Sequence, residues 1–194
     1  MIYKEEITKE EIDELPLQSF EGDVIIVDNR EKLDYAVSYL RNSGVIGFDT
    51  ETRPSFKKGH VNKVALLQLS TDDKAFLFRL NHFELPVEVT RLFTDPGIIK
   101  AGVAIRDDIK LLQNKRKFKP EGFVELQDIA KQKGINSFSL KKLSAIVLGL
   151  KISKAQQLSN WEADELNEAQ IRYAATDAWI SYKIYKQFYN GKDE

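Results

Sequence analysis

Two carboxylates stand two positions apart at the end of an apolar run of the chain. Asp49 and Glu51 follow Val45-Ile46-Gly47-Phe48, which predicts a buried central strand. Because alternate side chains of a strand point to the same face, the two acids should lie side by side. Two adjacent carboxylates are unfavourable unless a cation neutralises them, and Mg²⁺ prefers such hard oxygen ligands. The pair therefore predicts a divalent metal site that also admits a phosphate.

Two further segments supply acids that can complete this site. Asp108 comes six residues after Gly102, and Asp177 comes four residues after Tyr173 in a segment of helical pattern. Residues four apart on a helix share a face, with Cβ atoms about 5–6 Å apart. The full set predicts hydrolysis of phosphodiester bonds by two ions, about 3.5–4 Å apart, that clamp the attacking and leaving oxygens. Since a phenol titrates near pH 10, we expect Tyr173 to orient the attacking water.

The elements that must position these residues form one α/β domain. The first three strands after the initial helix have the spacing of an antiparallel meander, and α and β segments then alternate before a helical C-terminal part. Strands are predicted at 24–27, 45–49, 64–69, 75–78, 98–101 and 123–126. The first predicted helix begins at a cap at 28–29 and ends at 42–44. Further helices are predicted at 86–93, at 105–112, around 129, at 139–148 and at 167–189.

Bulk composition indicates a globular protein and excludes several other classes. The chain has 194 residues, of which 42% are hydrophobic and 30% charged, and it has no cysteine for a disulfide or a thiolate site. We expect an acidic N-terminal extension at 1–22, a single domain at 23–194, no membrane helix, no signal peptide and a cytoplasmic location. The net charge of −1 argues against binding of nucleic acid through phosphates alone and favours local binding in a metal-loaded cleft.

The acidic segments resemble, in order, the three exonuclease motifs of the DEDD 3′–5′ exonuclease superfamily, tyrosine branch. Phe48-Asp49-Thr50-Glu51 is similar to the first motif, the segment from Gly102 to Asp108 to the second, and Tyr173-Ala174-Ala175-Thr176-Asp177 to the third. The histidine branch would carry a histidine at position 172, where this chain has Arg172. Outside the acids, the resemblance to the Werner-type exonuclease domain covers roughly residues 23–190, with RNase D and the proofreading domain of family A DNA polymerases more distant. It rests there on Ser137–Leu143, Leu148-Gly149, Lys154, Ser159-Asn160-Trp161 and Tyr173–Trp179.

This resemblance implies an RNase H-like fold with a mixed five- or six-stranded central sheet flanked by helices. It implies two Mg²⁺ or Mn²⁺ ions and stepwise release of nucleoside monophosphates from single-stranded or recessed 3′ ends. Asp49 would bridge both ions, with the other three acids as ligands directly or through water. Substrate contacts are expected from Thr50, Arg53, Lys154 and Trp161. A helicase or repair partner would act in trans, because neither a helicase nor a polymerase domain is recognised in this sequence.

Several alternatives stay open at this point. DNA is favoured as substrate, but an RNase D-like exoribonuclease and, with less support, an inactive nucleic-acid-binding module are the rivals. The glycine spacing favours Asp108 over Asp107, and Trp161 could pack in the core rather than stack on a base. Polymerase-type relatives have Asn at the position of Ala104, so a contact to the strand is in doubt there.

The basic groups and the histidines are interpreted as surface residues. The basic groups are Lys57-Lys58, Lys115–Lys117 and Lys141-Lys142, of which Lys141 and Lys142 are the better candidates for substrate contact. His60 and His82 are expected at the surface.

Overall fold

A six-stranded mixed sheet organises the part of the chain that the computed structural model describes, residues 2–54 and 62–190. The strand order is β1-β4-β3-β2-β5-β6. The β2–β3 and β3–β4 pairs are antiparallel, whereas β1–β4, β2–β5 and β5–β6 are parallel. The predicted mixed sheet and its antiparallel meander are confirmed. The strands are β1 (Asp23–Val27), β2 (Val45–Thr52), β3 (Val64–Ser70), β4 (Lys74–Arg79), β5 (Ile99–Gly102) and β6 (Phe123–Glu125).

Helices flank this sheet, and most of them were predicted from their caps and apolar spacing. They are α1 (Lys9–Asp13), α2 (Arg30–Arg41), α3 (Val87–Phe93), α4 (Arg106–Lys115), α5 (Leu126–Gln132), α6 (Leu140–Leu143) and α7 (Glu168–Asn190). α6 continues as a π-helical turn over Ser144–Leu148, so the helix predicted at 139–148 changes its hydrogen-bonding pattern midway. The short α1 was not predicted, although Thr8 and Glu11 form a capping box at its start. No helix among the described residues has the length and apolarity that crossing a bilayer requires.

The long helix α7 lies directly on strand β2. A Cβ atom at Gly47 would collide with the backbone carbonyl of Ala178, so this glycine permits a contact that no other residue allows. Small side chains on the helix, Ala174 and Ala175 among them, are fully buried against the neighbouring strands β3 and β4. The close approach places the α7 side chains that face β2 next to those at the carboxyl end of the strand.

The opposite face of the sheet is covered by helices α2, α3 and α4. Ile46 and Phe48 point to this face from β2, because side chains alternate along the strand, and they join the largest apolar cluster of the described residues. Phe48 packs edge-on against Phe93 of α3 and Phe123 of β6, with ring centroids 6.0 and 5.4 Å away. The strand is therefore held on both faces, which fixes the direction of its acidic end.

The N-terminal segment packs on the sheet–helix unit. The Phe20 amide donates to the Thr176 hydroxyl of α7 at 3.0 Å, and Phe20 is buried against Trp179. Leu17 forms a single parallel bridge with Lys151. The expected boundary between an extension at 1–22 and a domain at 23–194 stays a prediction.

A buried lysine holds the C-terminal end of α3 against the sheet. Lys100 of β5 is fully buried, and its ammonium donates to the carbonyls of Leu92, Asp95 and Ile98 at 2.6–2.9 Å. Burial lowers the pKa of Lys100 to about 8, so the side chain is mostly charged at neutral pH and donates all three of its hydrogens. The ammonium lies at the C-terminal end of α3, and the helix dipole favours a cation at that end.

We predict that Lys100→Met lowers the free energy of unfolding by about 2–3 kcal/mol, because three largely buried carbonyls each lose the hydrogen bond that the ammonium donates. Urea unfolding at neutral pH measures this. Lys110→Met is the matched control, since Lys110 makes only an exposed ion pair with Asp107 and its loss should cost no more than about 0.5 kcal/mol. Equal effects of the two substitutions would contradict the assignment of Lys100.

Candidate active site

Three carboxylates from two elements meet at the carboxyl end of β2. Asp49 and Glu51 point to the same face of the strand, and Asp177 comes from the middle of α7. One oxygen from each of the three lies within 4.8 Å of the others. This is the spacing at which carboxylate oxygens can share a cation, and the structure brings together three of the four acids that the sequence predicted.

The charges of these three groups are unfavourable without a cation. Burial raises the pKa of Asp49 well above its ordinary value, and the charges of Asp177 and Glu51 raise it further. Burial, followed by the charge of Asp177, raises the pKa of Glu51 to about 9. Burial also raises the pKa of Asp177 to about 7, although the Tyr173 hydroxyl and the Lys154 ammonium oppose this. A set of oxygen donors that resists ionisation in this way fits a divalent cation, which would stabilise all three anions at once.

Asp108 approaches the cluster from the other side of β2. It lies in the first turn of α4, and its carboxylate accepts a hydrogen bond from the Thr50 hydroxyl at 2.5 Å. Thr50 points toward α4 because it alternates with Asp49 and Glu51 along the strand. Asp108 is near enough to raise the pKa of both of these acids, yet its oxygens stand outside the three-residue cluster.

Asp107, the alternative to Asp108, faces away from the cleft. Its carboxylate is highly exposed and pairs with Lys110 at 2.8 Å, a contact that holds the pKa of Asp107 below its usual range. Burial, by contrast, raises the pKa of Asp108. The geometry therefore supports the residue that the glycine spacing favoured.

A glutamate that the sequence analysis missed fixes the turn before α4. The two carboxylate oxygens of Glu125, the last residue of β6, accept the backbone amides of Ala104 and Ile105 at 2.8 and 2.9 Å. Ala104 adopts a left-handed conformation with φ of 61°, which is unusual for a residue with a Cβ atom. Asparagine tolerates this conformation better than alanine. Glu125 thereby sets the entry angle of the helix that carries Asp108.

Tyr173 lies one turn before Asp177 and lines the same cleft. Burial and the charges of Asp177 and Glu51 raise the pKa of Tyr173 above its ordinary value. The phenol therefore stays protonated and can act as a hydrogen-bond donor. Its ring lies 5.9 Å from that of Trp161, centroid to centroid.

An open concavity of about 470 Å³ extends from the acids. Its wall beyond the acids includes Lys141 and Lys154, as well as Phe138, Gln127 and Gln157, which the sequence analysis did not single out. The two lysines lie where phosphate oxygens would meet positive charge, and the aromatic ring offers a surface for a base. Lys142, predicted together with Lys141, does not line this concavity. Gln127 lies in α5 and the other wall residues lie between α5 and α7, so their convergence is visible only in the fold.

The other predicted substrate contacts are placed differently. Trp161 is fully buried and packs with Leu66 and Leu77, so no face of its ring is open to a nucleotide. The predicted substrate contact of Trp161 is therefore corrected to a role in packing. Arg53 is exposed and lies 3.5 Å from Glu162, and Thr50 is buried against Asp108. Lys57, Lys58 and His60 lie outside the described residues, whereas His82 is exposed, as expected.

Comparison with known proteins shows which family this chain resembles. The family model described as 3′–5′ exonuclease matches residues 24–191. The chain is 35% identical over 188 residues to the mouse bifunctional 3′–5′ exonuclease/ATP-dependent helicase WRN, covering 92% of this chain and 13% of that protein. It is 32% identical over 147 residues to a 3′–5′ exonuclease of Arabidopsis thaliana, covering 73% of this chain and 51% of the relative. The chain thus spans at most about half the length of these two relatives.

A solved structure also matches the fold. The Nibbler EXO domain of Aedes aegypti superposes with a TM-score of 0.78 at 26% identity, over 89% of this chain and 91% of that one.

We predict that metal-free Asp177→Asn gains stability over the wild type as the pH rises. The folded pKa of Asp177, about 7, lies above its unfolded value, so the wild type loses stability as the pH increases from about 4 through 7. The difference in unfolding free energy between variant and wild type should grow by about 1–3 kcal/mol from pH 5 to pH 8. Urea unfolding in chelator measures it.

Asp107→Asn is the control for this experiment, because Asp107 is exposed and its lowered pKa leaves it ionised across that range. Its effect should not change between the two pH values. A pH-independent difference for Asp177→Asn would contradict the electrostatic description of the cluster.

We also predict that Glu125→Gln lowers the free energy of unfolding by about 1–2 kcal/mol, because an amide oxygen replaces only one of two carboxylate acceptors. Asp128→Asn is the control, since Asp128 makes an exposed ion pair with Arg106 and should contribute less than about 1 kcal/mol. Thermal unfolding of both variants checks this. A neutral Glu125→Gln would show that the turn before α4 is held by other contacts.

Proposed function

The chain belongs to the 3′–5′ exonuclease family of the DEDD superfamily, and from this premise we propose that it removes nucleotides stepwise from the 3′ end of a nucleic acid strand. The products would be nucleoside monophosphates, and single-stranded or recessed ends would be the substrates. The observation that carries the proposal is the convergence of Asp49, Glu51 and Asp177 beside Tyr173 in an open cleft. A family member that retained the fold for binding alone would have no need of these buried, mutually repelling acids.

The acids would hold two divalent cations, Mg²⁺ or Mn²⁺. Asp49 has the central position, since it faces Glu51 and Asp177 and also feels the charge of Asp108. We assign it to both ions, with the other three acids as ligands directly or through water. When bound, the ions would acidify the attacking water and stabilise the charge that develops on the leaving oxygen.

The remaining residues of the cleft would orient the substrate and the water. The protonated Tyr173 hydroxyl would donate a hydrogen bond that fixes the attacking water in line with the scissile bond. Lys154, whose charge acts on Asp177, and Lys141 would contact phosphate oxygens next to the 3′ end. Tyr173 would not act as a base, because burial and the nearby anions oppose its ionisation.

DNA is the favoured substrate because of the similarity to the Werner-type exonuclease, which extends over 92% of this chain. Acids that hold cations on a phosphate do not distinguish the two sugars unless a side chain reads the 2′-hydroxyl. The RNase D-like alternative is therefore decided by paired DNA and RNA substrates. A helicase or repair partner acting in trans remains a prediction, in keeping with the joint exonuclease and helicase name of the mouse relative.

We predict a ladder that shortens from the 3′ end of 5′-labelled DNA in Mg²⁺ or Mn²⁺ and that is abolished by chelator. Asp49→Asn should lower the turnover by at least about 10³-fold, because it removes the shared ligand. Tyr173→Phe should lower it by about 10²-fold with little change in stability, because only the orienting hydroxyl is lost. Gel analysis with matching RNA strands ranks the substrates.

Asp107→Asn serves as the control and should retain wild-type turnover. Its carboxylate is one residue from Asp108 but points to solvent. Loss of activity in Asp107→Asn but not in Asp108→Asn would reverse the assignment of the second motif. Absence of any ladder with the wild type, on DNA and on RNA, would favour the inactive binding module.

A further inference from the structure

A second concavity opens on the α4 side of the sheet, away from the acidic cleft. Its volume is about 610 Å³, and its rim carries Lys63, His82 and Lys115 together with the amides Asn81 and Asn114. His82 and Lys63 are exposed, whereas Lys115 is half-buried. None of these residues lines the concavity of the acids. The rim thus offers cationic and amide donors in a place that the catalytic proposal does not use.

Positive charges are held close together in this second concavity. Lys115 donates to the Leu80 carbonyl at 2.8 Å, and the pKa of Lys115 is lowered first by burial and then by the charge of Lys63. Like charges in a partly desolvated site repel one another unless an anion joins them.

Glu84 lines this concavity and Glu162 acts on Lys115 from nearby, and the two acids only partly offset its positive charge. Glu84 is highly exposed and lies 3.7 Å from Arg116, and Glu162 lies 3.5 Å from Arg53. The charge of Glu84 is therefore partly neutralised by Arg116, and the charge of Glu162 by Arg53. The concavity keeps an excess of positive charge although the whole chain has a net charge of −1.

The sheet register places the second concavity at the same edge as the acids. Glu51 is paired with Leu66 of β3, and Leu66 is paired with Arg79 of β4. Two strand spacings separate Glu51 from Arg79, which is about 10 Å. Arg79 is the last residue of β4 and directly precedes the segment with Asn81 and His82, so the basic rim lies at the same edge of the sheet as the acidic cluster.

Helix α4 connects the two places as well. Asp108 and Lys115 are seven residues apart, so they lie on one face of the helix at about 10.5 Å along its axis. A stacked strand advances about 3.4 Å per nucleotide, so this distance corresponds to about three nucleotides. A strand whose 3′ end lies among the acids would bring upstream phosphates to Lys115 and Lys63.

We propose that this basic concavity binds the phosphodiester backbone of the substrate strand, about three or more nucleotides upstream of its 3′ end. The proposal rests on the proposed function, since it assigns a second contact on the same substrate. Lys63 and Lys115 neutralise phosphates, and Asn81, Asn114 and His82 donate hydrogen bonds to phosphate oxygens. The site extends the grip of the enzyme on a long strand without touching the reacting bond.

The test compares Lys63→Gln/Lys115→Gln with Lys9→Gln/Lys183→Gln, which removes two lysines outside the basic concavity. Fluorescence anisotropy measures the binding of a labelled twelve-nucleotide single strand as a function of salt. Hydrolysis of a trinucleotide, too short to reach the basic concavity, reports on the acidic cleft alone. Circular dichroism and thermal unfolding establish that both double variants are folded, and the single variant Lys63→Gln leaves the Lys115 hydrogen bond to Leu80 intact.

We expect the affinity of the double variant for the twelve-nucleotide strand to fall about tenfold, and the slope of log K against log salt to decrease by about 1.4. This follows because a single strand releases about 0.7 counterions per phosphate neutralised. Trinucleotide hydrolysis and the control variant should match the wild type, and Lys63→Gln should show about half of the change in slope.

An unchanged affinity for the long strand would overturn the proposal, and so would an equal loss on the trinucleotide and the long strand. If the wild type hydrolyses neither substrate but binding of the long strand still depends on Lys63 and Lys115, the basic site stands and the proposed exonuclease function fails.

Discussion

The contact between the backbone of α7 and Gly47 of β2 is the constraint on which the site depends. A side chain at position 47 would hold the helix away from the strand, because it would meet the Ala178 carbonyl. Asp177 precedes Ala178, and Asp49 follows Gly47 by two residues on the same face of the strand. The depth at which the helix lies therefore decides the distance between carboxylates. Buried alanines on the helix and apolar packing on the other face of β2 keep this distance fixed.

Burial gives the acids their chemistry and also makes them costly. In water the same carboxylates would ionise independently near pH 4, but on this sheet edge the pKa of Glu51 is raised to about 9. A divalent cation would offset the repulsion, so the fold supplies a site that is stabilised by the species it needs for catalysis. Asp108 enters through a separate route, since Glu125 and the strained turn at Ala104 fix the start of its helix. The basic concavity lies at the other end of that helix. In the proposed complex, α4 would thus place Asp108 at the 3′ end of the strand and Lys115 at phosphates upstream.

Sequence reasoning located the parts of the site that depend on local periodicity. Asp49 and Glu51 share a face because a strand alternates, and Tyr173 and Asp177 because a helix repeats every 3.6 residues. It did not place Trp161, because the difference between a core ring and an exposed ring depends on what α7 covers. It also missed Glu125, whose partners are backbone amides about twenty residues earlier. It missed as well that Lys63 and Lys115, about fifty residues apart, line one concavity. Such contacts carry no spacing signal in the chain, and only the sheet order brings them together.

The most direct test of the account is a calorimetric titration of the metal-free protein with Mn²⁺ at pH 7, repeated in buffers of different ionisation enthalpy. If the three buried carboxylates form a cation site, two ions should bind in the millimolar range or tighter, with release of about one proton or more, because Glu51 and part of Asp177 are protonated before binding. Asp49→Asn should lose this binding. Absence of binding heat in the millimolar range would contradict the account. Binding that releases no proton and is unchanged in Asp49→Asn would also contradict it.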